Sequence, residues 1–365
     1  MTLSDCAKCK PMVCRAGFRD GGPEKCPMHF DFPSAEQLYV NPEERTLARN
    51  AALVESRGYG RWTRVEETME FAKTMGFSRI GVVSCNDMKN IADLFAAILQ
   101  ENGFEVINAG SEKGNCHPIA AAALCNNKQT QLNVLLGMHT GHDSLFIKNS
   151  SAWVTSLVVR DMVLVHNPVA ALYGATGYFR EKLNAKLVVN SSLTEDTSEH
   201  NLIEVAARLT ETSSNSWSRV EEIIEFTRRL GVRRIGLLFC AGLANEANIL
   251  TGILEKQFEV ISIACKTGAV PKEFIGISDS EKVRPGKPEM MCNPLAQIEL
   301  LNINNTGLNI LMGQCVGHDS LSMRHSNAPV VCLVAKDRVL QHNTVAALYE
   351  SCGYMKSRLA GHKIN

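Results

Sequence analysis

The chain holds 365 residues, and its 38 Lys and Arg are balanced by 38 Asp and Glu. That length has room for two or three domains with real cores, and the even charge excludes a surface built mainly to hold nucleic acid. Thirteen cysteines, an odd number in so large a chain, argue against a disulfide-stapled scaffold and for thiolate ligands.

The N-terminal stretch "MTLSDCAKCKPMVCRAG" has no apolar signal core, and no apolar run reaches bilayer length, so a cytoplasmic protein away from membranes is expected. In the same stretch begins the pattern Cys6-x2-Cys9-x4-Cys14-x11-Cys26-Pro27. A Cys-x2-Cys knuckle with two further cysteines close behind is a metal-ligand signature, and both an iron–sulfur cluster and zinc suit it. So short a segment has little core of its own, and a metal would supply its folding energy. Residues 1–43 are therefore read as a cysteine-rich metal-binding module with its connector. Residues 30–45, with Pro33 and Pro42, are expected to be extended.

Most of the remaining chain is written twice. "TRVEETMEFAKTMGFSRIGVVSC" (Thr63 to Cys85) matches "SRVEEIIEFTRRLGVRRIGLLFC" (Ser218 to Cys240) without a gap, and "CHPIAAAAL" (Cys116 to Leu124) matches "CNPLAQIEL" (Cys292 to Leu300). "LNVLLGMHTGHDSL" (Leu132 to Leu145) matches "LNILMGQCVGHDSL" (Leu308 to Leu321), and "VTSLVVRDMVLVHNPVAALY" (Val154 to Tyr173) matches "VVCLVAKDRVLQHNTVAALY" (Val330 to Tyr349). A repeat this long means a duplicated structural unit.

In the first copy, Val65, Met69, Ala72 and Met75 share one face of a predicted helix, with Gly76 as its C-cap. Ile80 to Val83 is a short apolar run typical of a buried parallel strand. Ile91 to Leu99 reads as a helix, Phe104 to Ile107 as a strand, and the alanine-rich run after Pro118 as a helix. Leu132 to Leu136 and Val154 to Val159 are further strands, and Val169 to Tyr173 starts a last helix behind Pro168. Strands alternating with helices imply βαβ units. The predicted fold is thus α/β: two tandem repeated α/β domains with parallel sheets, over 44–189 and 190–365, behind the N-terminal module. The polar segment "NSSLTEDTSEHN" (Asn190 to Asn201) is the expected linker, and the two copies are expected to pack about a pseudo-two-fold axis.

In the second copy Cys240 and Cys265 end strands, Cys315 lies just beyond one, and Cys292 precedes a helix. The carboxyl ends of parallel strands and the following helix N-termini share one sheet edge, so all four fall on that edge. Four thiolates there suit a cubane iron–sulfur cluster or tetrahedral zinc. In the first copy Cys85 and Cys116 are kept, Ser111 stands for Cys265, and His139 stands for Cys315. That copy is either a distinct Cys85, Cys116 and His139 site with an open position, or a copy that keeps the fold without the metal. His142 with Asp143, and His318 with Asp319, are candidates for catalysis or for hydrogen-bonding to ligands and substrate, or else cap the next helix. Cys125, Cys332 and Cys352 are read as packing residues, and the paired His-Asn at 166–167 and 342–343 as turns. No Gly-x-Gly-x-x-Gly, Walker loop or His-Glu-x-x-His occurs, which gives no support to nucleotide binding or metalloprotease chemistry.

The segments "CNPLAQIELLN", "GQCVGHDSL" and "LVAKDRVLQHNTVAALY", with the N-terminal cysteines, resemble the uncharacterised metal-binding family DUF1847, through Cys240, Cys265, Cys292, Cys315 and the His318-Asp319 pair. The resemblance covers most of the chain. It implies metal binding and an anaerobic setting, and no particular reaction. Related sequences often carry a Cys-x-Cys at the Cys265 position, where this chain has Thr267. The function expected is that of an iron–sulfur protein with a redox or electron-transfer role, carrying one or two [4Fe-4S] clusters. The alternative is a zinc-binding, metal-handling or structural protein without catalytic activity. The expected partners are a redox partner or a small-molecule substrate.

Overall fold

The computed structural model describes residues 4–29, 32–110, 116–175, 177, 179, 183, 195–213 and 216–359. Ser111, Tyr178, the side chain of Cys352 and the first residues of the expected linker, 190–194, lie outside what is described.

Each copy builds one four-stranded parallel sheet. The first contains β1 (Arg79–Ser84), β2 (Glu105–Asn108), β3 (Leu132–Leu136) and β4 (Trp153–Val158). The second contains β5 (Arg234–Phe239), β6 (Glu259–Ala264), β7 (Leu308–Met312) and β8 (Val330–Val334). The strand orders are β2-β1-β3-β4 and β6-β5-β7-β8. Corresponding registers match: Ile80 pairs with Leu132 as Ile235 pairs with Leu308. β1, β3 and β4, like their counterparts, are buried almost throughout, which is why they read as apolar runs without alternation.

Three helices escaped the sequence reading, the first being the short Ala35–Leu38 within the stretch 30–45 expected to be extended. Pro42 does not sit in an extended connector but opens the helix Pro42–Gly58. Asn41 accepts from the Glu43 backbone N–H at 2.9 Å, and proline is favoured in a first turn, where its missing donor costs nothing. Leu47, Ala48, Ala51 and Ala52 supply its buried face. The end of the linker segment, from Glu199, is already part of the helix Glu199–Ser213.

The two copies are interlocked. The helices Arg64–Thr74 and Arg219–Arg229 each start in a capping box, Thr63 with Glu66 and Ser218 with Glu221. Both first residues reach into the opposite copy. Arg64 Nη2 binds Asp319 Oδ2 at 2.6 Å and Arg219 Nη2 binds Asp143 Oδ2 at 2.5 Å. The backbone N–H of Arg64 donates to Asp337 at 2.7 Å, and that of Arg219 to Asp161 at 2.9 Å. The short helix Val169–Tyr173 packs in one core with Leu250 and Leu254 of the second copy. Its counterpart Val345–Tyr349 packs with Phe95 and Leu99 of the first. A third core cluster, with Phe146, Leu238, Ile261 and Cys332, spans both sheets.

The copies approach each other tightly at Gly141 and Gly317, with φ of 89° and 85°. A Cβ on Gly317 would lie 2.5 Å from Phe71, and one on Gly141 2.7 Å from Phe226. Gly317→Ala is therefore expected to destabilise the protein by roughly 2–4 kcal/mol, from backbone strain plus overpacking. Urea unfolding checks this, and an unchanged midpoint would refute the packing described.

The recurring His-Asn turns are explained by their backbone. His166 and His342 have φ of 61° and 67°, and their Nδ1 atoms accept from the backbone N–H of Asp161 and Asp337 at 3.3 and 3.2 Å. Each ring therefore acts as a neutral acceptor. Burial, followed by the charge on Lys336, pushes His342 down to about 4. A histidine depressed in the folded state adds stability that is intact above its unfolded value near 6.5 and is lost as pH falls through 4. After allowance for the ring's partial exposure, about 2 kcal/mol should disappear over that window. In His342→Asn, whose amide accepts the same bond without titrating, this part of the pH slope should vanish. Parallel slopes in the two proteins would contradict the assignment.

Candidate metal centres

All the candidate ligands of both copies lie at the carboxyl edges of the sheets. In the second copy Cys265 interacts with both Cys240 and Cys292, but the three sulfurs do not all lie within 4.8 Å of one another. The contact with Cys265 holds the Cys240 and Cys292 thiols well below their usual range, and burial works against this. The same two contacts, with burial, push Cys265 up.

Buried cations complete the charge balance. Lys336 Nζ lies 2.6 Å from Cys240 Sγ, and Lys266 Nζ 3.4 Å from Cys292 Sγ. Burial alone would discharge these amines, but the thiolates raise both above the usual lysine range. Backbone donors add to the field: Ala241 N–H points at Cys265 Sγ and Gly242 N–H at Cys240 Sγ, at 3.3 and 3.4 Å.

Cys315 stands on the far side of His318. Arg338 Nη2 approaches its sulfur at 3.3 Å, and the sulfur lies 3.8 Å from Glu55 Oε1. Burial would raise Glu55, yet Arg338 and Lys272 hold it well below the carboxylate range. His318 is fully enclosed, and neither ring nitrogen makes an ordinary hydrogen bond. Burial would lower it, but the sulfurs of Cys292 and Cys315 raise it to about 10.

The N-terminal module docks beside this centre. Asp5 bridges to Ser262 of β6, and the backbone N–H of Ala7 donates to Ser262 Oγ at 2.9 Å. Cys6, Cys14 and Cys26 are buried, and Cys9 is partly so. Burial and then the neighbouring cysteines of the module raise Cys6, and the same causes push Cys14 up to about 11. The backbone N–H of Ser262, three residues before Cys265, donates to the Ser4 carbonyl at 3.0 Å.

The first copy is arranged differently. Cys85 Sγ and Cys116 Sγ are 3.3 Å apart. Among the described residues they form, with His142, a group whose ligand atoms all lie within 4.8 Å of one another. This close contact, then burial, pushes Cys85 up to about 12, and the same contact lowers Cys116. His139 contributes its backbone N–H to Cys85 Sγ at 3.4 Å, and its ring stands edge-on to that of His142, with centroids 5.5 Å apart. The third side chain in the group is thus His142, one helical turn from the position that aligns with Cys315. Cys85, Cys116, His139 and His142 line a groove of about 950 Å³, whose far wall includes Ile203 and Ala207.

Asp143 and Asp319 are occupied by the crossed arginine pairs, and their other oxygens accept from the backbone N–H of Ser144 and Ser320, both at 2.9 Å. Cys125 and Cys332 are packed in apolar surroundings. Sequence reasoning missed Lys266, Lys336, Arg338 and Glu55. The first two were legible in part: Lys266 follows a ligand cysteine, and Lys336 aligns with Arg160. In the first copy that arginine binds Asp87 at 2.7 Å rather than a sulfur.

The family model described as "Protein of unknown function (DUF1847)" matches residues 28–115, 107–157 and 180–333. The chain belongs to the DUF1847 family. Among its relatives is an uncharacterized protein of Methanocaldococcus jannaschii, 42% identical over 178 residues, which are 48% of this chain and 90% of that protein. Among solved structures, Dph2 from Pyrococcus horikoshii with a 4Fe-4S cluster is 12% identical, over 74% of this chain and 88% of that one, at a TM-score of 0.23. A likeness that slight transfers nothing to this DUF1847 chain. Among the described residues, no helix is long and apolar enough to cross a membrane.

The grouping in the first copy can be tested directly. His142→Ala should weaken Zn²⁺ binding by the Cys85 and Cys116 site at least tenfold, and His139→Ala should change it far less. Titration against a chromophoric chelator measures both, and the reverse order would overturn the ligand set.

Proposed function

We propose that this DUF1847 protein is an iron–sulfur redox protein with two neighbouring centres. One would be held by Cys6, Cys9, Cys14 and Cys26. The other would be held by Cys240, Cys265 and Cys292, with Cys315 beyond His318. The observation that carries this reading is the docking of the module on β6, where the Ala7 backbone N–H donates to Ser262 Oγ at 2.9 Å, because it sets Cys6 beside the strand that ends at Cys265. Thiolate-rich, buried sets of this kind suit iron–sulfur clusters. The residues fit such a group in a second respect: Lys336 and Lys266 already stand 2.6 and 3.4 Å from the sulfurs of Cys240 and Cys292.

Such clusters, when bound, would supply one-electron transfer. The chain's own contribution is electrostatic. Lys266, Lys336 and Arg338 offset thiolate charge at Cys292, Cys240 and Cys315. Positive charge and hydrogen bonds at the sulfurs favour the reduced, more negative state.

A second reading applies to the first copy alone. Tetrahedral zinc with Zn–S near 2.3 Å places sulfurs about 3.8 Å apart. The tight group of Cys85, Cys116 and His142 matches that scale and opens onto the groove. A single zinc with one free position is the metal it suits.

Analysis of iron, zinc and acid-labile sulfide on protein purified without oxygen tests both readings. Roughly eight irons and eight sulfides per chain are expected, with one zinc. Cys14→Ser/Cys26→Ser should remove about half the iron and leave the remaining visible absorption in place. Protein with no labile sulfide would sink the redox reading.

A further inference from the structure

Above Cys240, Cys265 and Cys292 lies a pocket of about 220 Å³. Six of its cations matter here: Lys266, Lys336, Arg338, Arg15, Arg284 and Lys287. They fall into two sets. Lys266, Lys336 and Arg338 are withdrawn from solvent and already face thiols or Glu55. Arg15, Arg284 and Lys287 are exposed at the rim, and among the described residues none of their side chains is in an ion pair or hydrogen bond. The pocket also holds the carboxylates of Glu55 and Glu289, and both are used internally. Glu55 pairs with Arg338 at 2.5 Å and Glu289 with buried Lys272 at 2.9 Å.

The inner cations are explained by the sulfurs. The outer ones are not, since nothing of opposite charge among the described residues answers them. A concave site with one sign of charge on its rim raises the local concentration of the opposite ion. It holds that ion best when several donors converge on it. We propose that this pocket binds a small, multiply charged anion bearing phosphate or paired carboxylate groups, held by Arg15, Arg284 and Lys287 against the second-copy cysteine centre. This deepens the redox reading by naming the substrate class of that centre. It rests on that reading only for the role of the anion, not for its binding. The volume suits a compact molecule, in keeping with the missing phosphate-loop motifs.

The test is isothermal titration of the full chain with inorganic pyrophosphate and, separately, citrate, at low and physiological salt. One saturable site is expected, weakened by salt as exposed pairs are. The preferred probe separates phosphate from carboxylate chemistry. Arg284→Glu/Lys287→Glu changes two unpaired rim residues and should weaken binding at least tenfold. The control Lys128→Glu/Lys256→Glu makes the same charge change at exposed sites outside the pocket and should alter affinity less than twofold. No saturable binding of either probe, or equal losses in both double variants, would overturn the proposal. Iron and sulfide are measured on the same samples. Absent sulfide with intact pyrophosphate or citrate binding would fault the redox reading alone, and full clusters without anion binding would fault this inference alone.

Discussion

The structure depends on two crossed ion pairs. Arg64 of the first copy is buried on Asp319 of the second, and Arg219 of the second on Asp143 of the first. Each arginine is at most 2% exposed in its side chain, so neither charge has water as an alternative partner. Removing one member of such a pair strands the other, at a typical cost of about 3–5 kcal/mol. The pairs therefore specify how the copies meet more than they add to stability. They also occupy the carboxylates of both Gly-His-Asp-Ser turns, which directs the neighbouring His142 and His318 toward the cysteines rather than the aspartates.

That interlocking puts residues of each copy into the other's site. Glu55, from the helix that precedes the first repeat, reaches Cys315 and Arg338 in the second. Glu222, in the second copy, binds Thr140 of the first at 2.9 Å and faces Arg160. Neither centre is the product of one repeat alone. With one scaffold held constant, the copies have diverged at a few positions on the same sheet edge. Lys336 meets a sulfur where Arg160 meets Asp87, and Cys315 stands where His139 stands. The second copy is a cationic basin around several thiols. The first is a compact sulfur and imidazole group beside an open groove.

The N-terminal cysteines gain their significance from position. A short segment with few apolar residues is anchored on the edge strand β6 at Ser262, which bridges to Asp5, donates its backbone N–H to the Ser4 carbonyl at 3.0 Å and accepts from the Ala7 backbone N–H at 2.9 Å. Edge strands present unpaired backbone groups, and this one uses them to hold the module next to the second-copy centre. Among the described residues the first copy has no such partner, and its edge strand β2 is correspondingly shorter.

The amino-acid sequence by itself determined the duplication, the alternation of strands and helices, the family and the sheet edge on which the cysteines gather. Those features come from local periodicity and from the rule that parallel strands end together. It did not determine which helix face is buried when the apolar signal is weak, as in Pro42–Gly58, with its alanines and charged flanks. Nor did it determine that His142 comes within 4.8 Å of the Cys85 and Cys116 sulfurs, because that depends on the turn after β3 and the angle at which the following helix leaves it. The decisive charge partners are remote in sequence: Asp143 and Arg219 are 76 residues apart, Cys240 and Lys336 96, and Glu55 and Arg338 283. Only tertiary packing brings such groups together, since burial of a charge is decided by what else is buried beside it.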